Sequence, residues 1–181
     1  KRASSTPVKQ NRRTVTRKKS ARSSKKRNAA NDDLWHLIPG YDPFATAGDC
    51  TFDERAAHRA IAFFAECLTF TAGQWRGQSF VLEPWQQALV GNLFGWKRPD
   101  GLRRYREAFL FVPRKCGKSE LAGGLGCLLT FADGEPGAQV YCAAADREQA
   151  RLVFNAAKTM TLAEEELTSR AKIYTNSIVV P

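Results

Sequence analysis

Phe109-Leu110-Phe111-Val112-Pro113-Arg114-Lys115-Cys116-Gly117-Lys118-Ser119-Glu120 is the stretch on which the reading turns. Ala108 to Val112 is an apolar run bounded by turn signals, the pattern of a strand buried on both faces. Pro113 to Gly117 interrupts it, and from Lys118 to about Phe131 the sequence reads as a helix. A strand, a short loop and a helix opening on Gly-Lys-Ser together meet the demands of an anion-binding turn. Successive backbone N–H groups must point inward, and the helix N-terminus must add its partial positive charge. A lysine must reach the β- and γ-phosphates of a nucleotide, and a hydroxyl must hold Mg²⁺. Gly117, Lys118 and Ser119 supply the last three positions of the GxxxxGK(S/T) pattern, whereas Val112 stands where its first glycine belongs. The competing reading is an ordinary strand-to-helix turn carrying an exposed lysine.

Outward from this stretch the pattern alternates. Asp133-Gly134-Glu135-Pro136-Gly137 is a loop, Gln139 to Ala144 a second buried strand, and Asp146 the cap of a further helix with Ala150, Val153, Phe154 and Ala157 inward. Glu164 to Glu166 reads as a solvated acidic surface and Lys172 to Val180 as one or two strands. Strand, helix, strand, helix, strand implies right-handed crossovers and a parallel sheet. Upstream, Thr51 and Glu54 have capping-box spacing, and Ala57, Ile61, Phe64 and Leu68 mark one helical face. Ser79 to Leu82 is a short extended piece. Pro84 suits the first turn of a second helix, with Trp85, Leu89, Leu93 and Trp96 on its inner side. Residues 31–50 read as an irregular lead-in whose Trp35, Leu37, Ile38, Tyr41 and Phe44 pack on the domain surface.

Charge divides the chain. The net charge of +10 over 181 residues hides a tail: residues 1–30 hold 12 Lys or Arg and no acid, which leaves 16 basic against 18 acidic residues beyond it. The tail has too few aliphatics to offset its ordering entropy and is expected to be disordered. Such an arm either neutralises nucleic-acid phosphates or acts as a solvating, localising tail. The hydrophobic fraction of 43% fits a soluble globular protein with a real core, and no apolar run is long enough to span a membrane. Cysteines at 50, 67, 116, 127 and 142 are odd in number and lack CxxC spacing, and His36 and His58 stand apart. Neither a disulfide framework nor a zinc cage is indicated, and a reducing cytosol is the simplest home.

Four blocks carry a more specific resemblance. Leu82-Glu83-Pro84-Trp85-Gln86, Phe94-Gly95-Trp96, Val112 to Ser119, and Ala143-Ala144-Ala145-Asp146-Arg147-Glu148-Gln149-Ala150-Arg151 occur in this order over roughly residues 80 to 160. The stretch resembles the N-terminal ATPase region of the large terminase subunit of tailed bacteriophages, whose variant phosphate loop commonly lacks the first glycine and carries an arginine. The resemblance implies an α/β fold, a P-loop NTPase parallel sheet of the RecA-like (ASCE) type with flanking helices. It implies a tail over 1–30, a helical segment with the adenine motif over 31–105, and a partial ATPase core over 106–181. It implies ATP and Mg²⁺ as cofactors. Gln86 would read the adenine edge, Lys118 would bind the β/γ-phosphates and Ser119 the magnesium. The N–H groups of Lys115, Cys116, Gly117, Lys118 and Ser119 would form the anion nest, and Arg114 would act as an arginine finger in cis. Arg147 and Gln149 would face DNA or a neighbouring subunit, or simply solvent.

By the same resemblance the intact protein would form a homo-oligomeric ring in the host cytoplasm. It would engage a portal protein and a small terminase subunit, and couple ATP hydrolysis to moving double-stranded DNA into a capsid. No apolar strand ending in Asp-Glu follows residue 120, and the family's nuclease carboxylates are missing. Residues 1–181 by themselves would therefore bind nucleotide and hydrolyse it very slowly. Two other functions use the same features: a noncatalytic nucleic-acid-binding module built on the tail, and a P-loop kinase.

Overall fold

The computed structural model describes residues 34–181. The basic tail expected over 1–30 lies outside the described residues. Strand β1 (Thr51–Phe52) leads into helix α1 (Glu54–Cys67), and helix α2 (Pro84–Gly95) runs into strand β2 (Trp96–Lys97). Helices α3 (Lys118–Phe131), α4 (Arg147–Ala163) and α5 (Glu165–Ser169) follow, and strands β3 (Lys172–Ile173) and β4 (Ile178–Val179) end the order.

Local chemistry sets the helix ends. Asp53, not Thr51, caps α1: its carboxylate accepts from the Ala56 N–H at 3.0 Å, and Thr51 is drawn into β1 opposite Lys97. A carboxylate satisfies an orphan donor and complements the helix dipole, so it outcompetes the hydroxyl two residues earlier. Asp146 caps α4 as expected, accepting from the Gln149 N–H at 2.8 Å. Pro84 opens α2, where its missing N–H costs nothing.

One hydrophobic cluster joins the helices, and it draws on both sides of residue 105. Phe64, Leu68, Phe80, Val90, Leu121, Cys127, Leu128 and Met160 are buried within it. Helix α2 is buried around most of its circumference: Gln86, Ala88, Val90, Gly91, Asn92 and Phe94 are buried, whereas Trp85, Leu89 and Leu93 are only half-covered. Of the four residues expected inward, Trp96 is buried, at 2% exposed, and Trp85, Leu89 and Leu93 are the less covered ones, because α1 lies on one side of the helix and the lead-in segment wraps the other. Trp35 is core rather than surface, 1% exposed. Its carbonyl accepts from Asn92 Nδ2 at 3.0 Å, and Gly91 makes room for its ring, since a Cβ there would lie 2.1 Å from Trp35 Cζ3.

Sheet content differs from the expectation. The described strands form two two-stranded antiparallel pairs, β1 with β2 and β3 with β4. Residues 108–112 and 139–144 carry no ladder. Phe109 is 93% exposed, Phe111 90% and Tyr141 81%. A strand needs a neighbour about 4.8 Å away to exchange hydrogen bonds, and consecutive strands in a crossover need not be neighbours. These two apolar runs have no such partner among the described residues. The parallel sheet is therefore absent from the described architecture, while helices α3 and α4 follow these two runs in the expected order.

Candidate phosphate-binding loop

Helix α3 begins at Lys118 and ends at Phe131, the bounds read from the sequence. Its N-cap is Gly117 in the left-handed conformation, φ 67° and ψ 20°, and this residue offers no capping side chain. The first-turn N–H groups that a Ser or Asp cap would occupy are left for another acceptor. Two residues earlier Lys115 has φ 69°, the one non-glycine positive φ among the described residues. A side chain in this region costs about 1–2 kcal/mol, and such strain concentrates where ligands are held. Left-handed residues at 115 and 117 flank Cys116, and a left-handed residue beside a right-handed one is the backbone unit from which anion nests are built.

The Lys118 side chain closes the loop. Its Nζ donates to the carbonyl oxygens of Val112 at 3.1 Å and Pro113 at 2.8 Å. The ammonium thus lies back across the bend it follows, at the end of the extended segment, and an incoming phosphate oxygen would replace carbonyl oxygens as its partner. Arg114, Lys115, Cys116, Gly117, Lys118 and Ser119 are all exposed, so the loop is open to a ligand. Three cationic side chains within five residues give it positive character.

Behind the loop, α3 is fixed on two sides. A Cβ at Gly124 would sit 2.4 Å from Phe64 Cε1 of α1, and one at Gly123 would sit 3.0 Å from the Ala157 backbone nitrogen of α4. Cys127 Sγ lies 3.5 Å from the Ala157 carbonyl oxygen. Burial pushes the Cys127 thiol up to about 11, against a smaller opposing effect of the Thr161 hydroxyl. The thiol is a packed, protonated group, and Cys116 in the loop is exposed. One further tie joins the first turn of α3 to the loop after α1: Glu120 accepts from the Thr71 N–H at 3.1 Å and from the Thr71 hydroxyl. No periodicity or motif marks this contact, which spans 49 residues of sequence.

Gln86 stands differently from the loop residues. It is 6% exposed, and its Oε1 accepts from the Glu83 N–H at 2.9 Å, closing the first turn of α2. Arg147 and Gln149 are exposed at the start of α4. A cavity of about 390 Å³ lies there, lined by Tyr141, Cys142, Arg147 and Asn176 among others. A larger one of about 450 Å³ lies between α3 and the 102–108 segment, lined by Leu93, Leu102, Tyr105 and Leu125 among others. Neither includes a residue of 113–119.

A family model for the terminase large subunit, ATPase domain, matches residues 84–179, from the first residue of α2 to the last of β4. The chain belongs to that family. The crystal structure of the HK97 bacteriophage large terminase is similar to this terminase ATPase domain, with a TM-score of 0.57 and 27% sequence identity. The likeness covers 68% of this chain and 25% of that one. The chain thus corresponds to about a quarter of that terminase's length. No curated protein matches it. The family matched is the one that the four sequence blocks resemble, and the match takes in residues 113–119 and the three helices that follow.

A metal would find little protein ligation here. Among the described residues no group of three or more His, Cys, Asp or Glu side chains is placed to hold an ion. Mg²⁺ takes oxygen ligands, keeps several waters and commonly leans on substrate phosphates. The Ser119 hydroxyl at the second helical position of α3 fits that role in donor type. No helix among the described residues is long and apolar enough to cross a membrane.

Proposed function

We propose that this terminase ATPase domain binds the triphosphate of ATP on the loop from Pro113 to Ser119. The observation that supports it best is the combination of an uncapped helix N-terminus, left-handed residues at 115 and 117, and a lysine folded back over the bend. The N–H groups of Lys115, Cys116, Gly117, Lys118 and Ser119 receive phosphate oxygens. Lys118 neutralises the β/γ charge, and Ser119 contributes its hydroxyl to Mg²⁺ alongside the phosphates. The ion, when bound, offsets charge on the β- and γ-oxygens. Arg114, exposed beside the nest, is the group to stabilise charge on the transferring phosphoryl in cis. Gln86 contacts adenine through the amide nitrogen, since its carbonyl oxygen is used in closing the helix.

In the whole protein the same site would drive double-stranded DNA into a capsid from a homo-oligomeric ring in the host cytoplasm, with portal and small-subunit partners. The segments 31–105 and 106–181 would serve as adenine-motif segment and ATPase core. The paired strands missing from this architecture would complete a parallel sheet around Phe109, Phe111 and Tyr141. The tail over 1–30 would add phosphate contacts on DNA.

A competition series tests the nucleotide reading. Tripolyphosphate and ATP should displace a fluorescent ATP analogue from the chain, and AMP should not. Displacement by AMP as effective as by ATP would remove the phosphate loop from the account. Saturable phosphoryl transfer to a small-molecule acceptor would favour a kinase. Salt-sensitive DNA binding through 1–30 without nucleotide binding would favour a noncatalytic module.

A further inference from the structure

Helices α2 and α3 differ in what their third residue does. In α2 that residue is Gln86, and its side chain folds back to accept from the N–H of its own N-cap, Glu83, at 2.9 Å. In α3 the third residue is Glu120, an acid in the first turn of a helix whose Gly117 N-cap provides no side-chain acceptor. A carboxylate at that position is the natural occupant of its own helix's orphan N–H groups. Folded back in that way it would stand one turn from the Lys118 ammonium. It would then compete with an incoming anion for both the amides and the positive charge.

The structure holds Glu120 elsewhere. One carboxylate oxygen accepts from the Thr71 backbone N–H at 3.1 Å and the other from the Thr71 hydroxyl. Thr71 does not move freely. It sits at the foot of a loop closed by the Phe70 N–H to Gln78 O bond at 2.9 Å, the Gly77 N–H to Phe70 O bond at 2.8 Å and the Phe80 N–H to Leu68 O bond at 2.8 Å. The rings of Phe70 and Phe80, at the two ends of that loop, lie with centroids 4.3 Å apart and tilted by 39°. Two donors on an anchored segment thus satisfy both oxygens of the one acid in the first turn of α3. The Lys118 ammonium, for its part, rests on carbonyl oxygens and not on this carboxylate.

We propose that Thr71 is a positioning residue that keeps the phosphate loop receptive by holding the Glu120 carboxylate off its amides and lysine. The inference rests on the nucleotide reading of the loop given above. Without the hydroxyl, Glu120 keeps one of its two bonds and becomes an internal competitor for the nest.

The test measures tripolyphosphate and Mg-ATP affinity by titration calorimetry on the full chain and on Thr71→Val, Thr71→Ser, Glu120→Ala and the Thr71→Val/Glu120→Ala double variant. Thr71→Val should weaken both ligands about tenfold, and Thr71→Ser should stay within about twofold of the parent. Removing the competitor should rescue: the double variant should bind within about threefold of the parent. Glu120→Ala alone should bind at least as tightly as the parent, a result available even if Thr71→Val folds poorly. A tie that merely staples two segments predicts the reverse, with Glu120→Ala weakening binding and the double variant no better than Thr71→Val. Either of those results overturns the proposal while leaving the loop as the nucleotide site. Failure of the parent chain to bind tripolyphosphate or ATP at all would overturn both readings together.

Discussion

Gly117 and Lys115 carry the unusual backbone conformation of the proposed phosphate loop. Gly117 has open space where a Cβ would stand, so its requirement is its φ of 67° and not the room around it. Gly117→Val puts a β-branched side chain into the left-handed region, and the chain should lose about 1–2 kcal/mol of stability. It should also lose ATP affinity, because the alternative backbone turns an N–H out of the nest. Denaturant midpoints and a nucleotide titration read the two effects separately. Cys127 gives a pH dependence with a definite sign. Its thiol lies at about 11 in the fold against an ordinary value of 9.0, through burial. As pH rises from about 9 towards about 11 the unfolded chain ionises this thiol first, so stability falls across that window. In Cys127→Ala the corresponding slope of urea midpoint against pH should be smaller, whatever the variant's absolute stability.

Elements explain what was legible beforehand and what was not. The bounds of α3 and the Asp146 cap of α4 were legible because a glycine, a capping acid and an apolar period are local signals. Thr51 was not the α1 cap because a better acceptor, Asp53, stood two residues on. The faces of α2 were misread because a helix covered nearly all round has no single apolar stripe for periodicity to find. The apolar runs at 108–112 and 139–144 announce strands, but a ladder belongs to two strands at once, and one run cannot say which neighbour it needs. The Thr71 tie to Glu120 was invisible for a like reason: it joins two polar residues far apart in sequence. At this scale the close approach of α3 to its neighbours is the feature to challenge. Gly123→Val would drive a side chain against the α4 backbone, where no rotamer gives relief, and should cost about 1–3 kcal/mol in thermal or urea denaturation. Gln86→Ala should cost about 1 kcal/mol through the opened turn of α2. If the amide also reads adenine, the variant should lose preference for ATP over GTP while its tripolyphosphate affinity stays unchanged.

Over the whole sequence the positive charge is concentrated at the N-terminus. Beyond residue 30 the acidic residues outnumber the basic ones by two, so the excess positive charge belongs to the N-terminal tail. If that tail engages DNA, deleting residues 1–30 should flatten the dependence of DNA affinity on salt, because fewer counterions are released. Nucleotide affinity should stay as it was. Around the loop the molecule supplies rigidity: α3 is wedged between α1 and α4, and its first turn is tied to the loop after α1. That arrangement fixes the first turn of α3, and on the proposed reading it would hold the loop amides in place before a ligand arrives. Titration of Mg-ATP into the chain and into Lys118→Ala tests that reading most directly. The account predicts saturable binding by the parent chain and a loss of at least tenfold in affinity in the variant, with the fold intact by circular dichroism. Equal affinities for the two would contradict it.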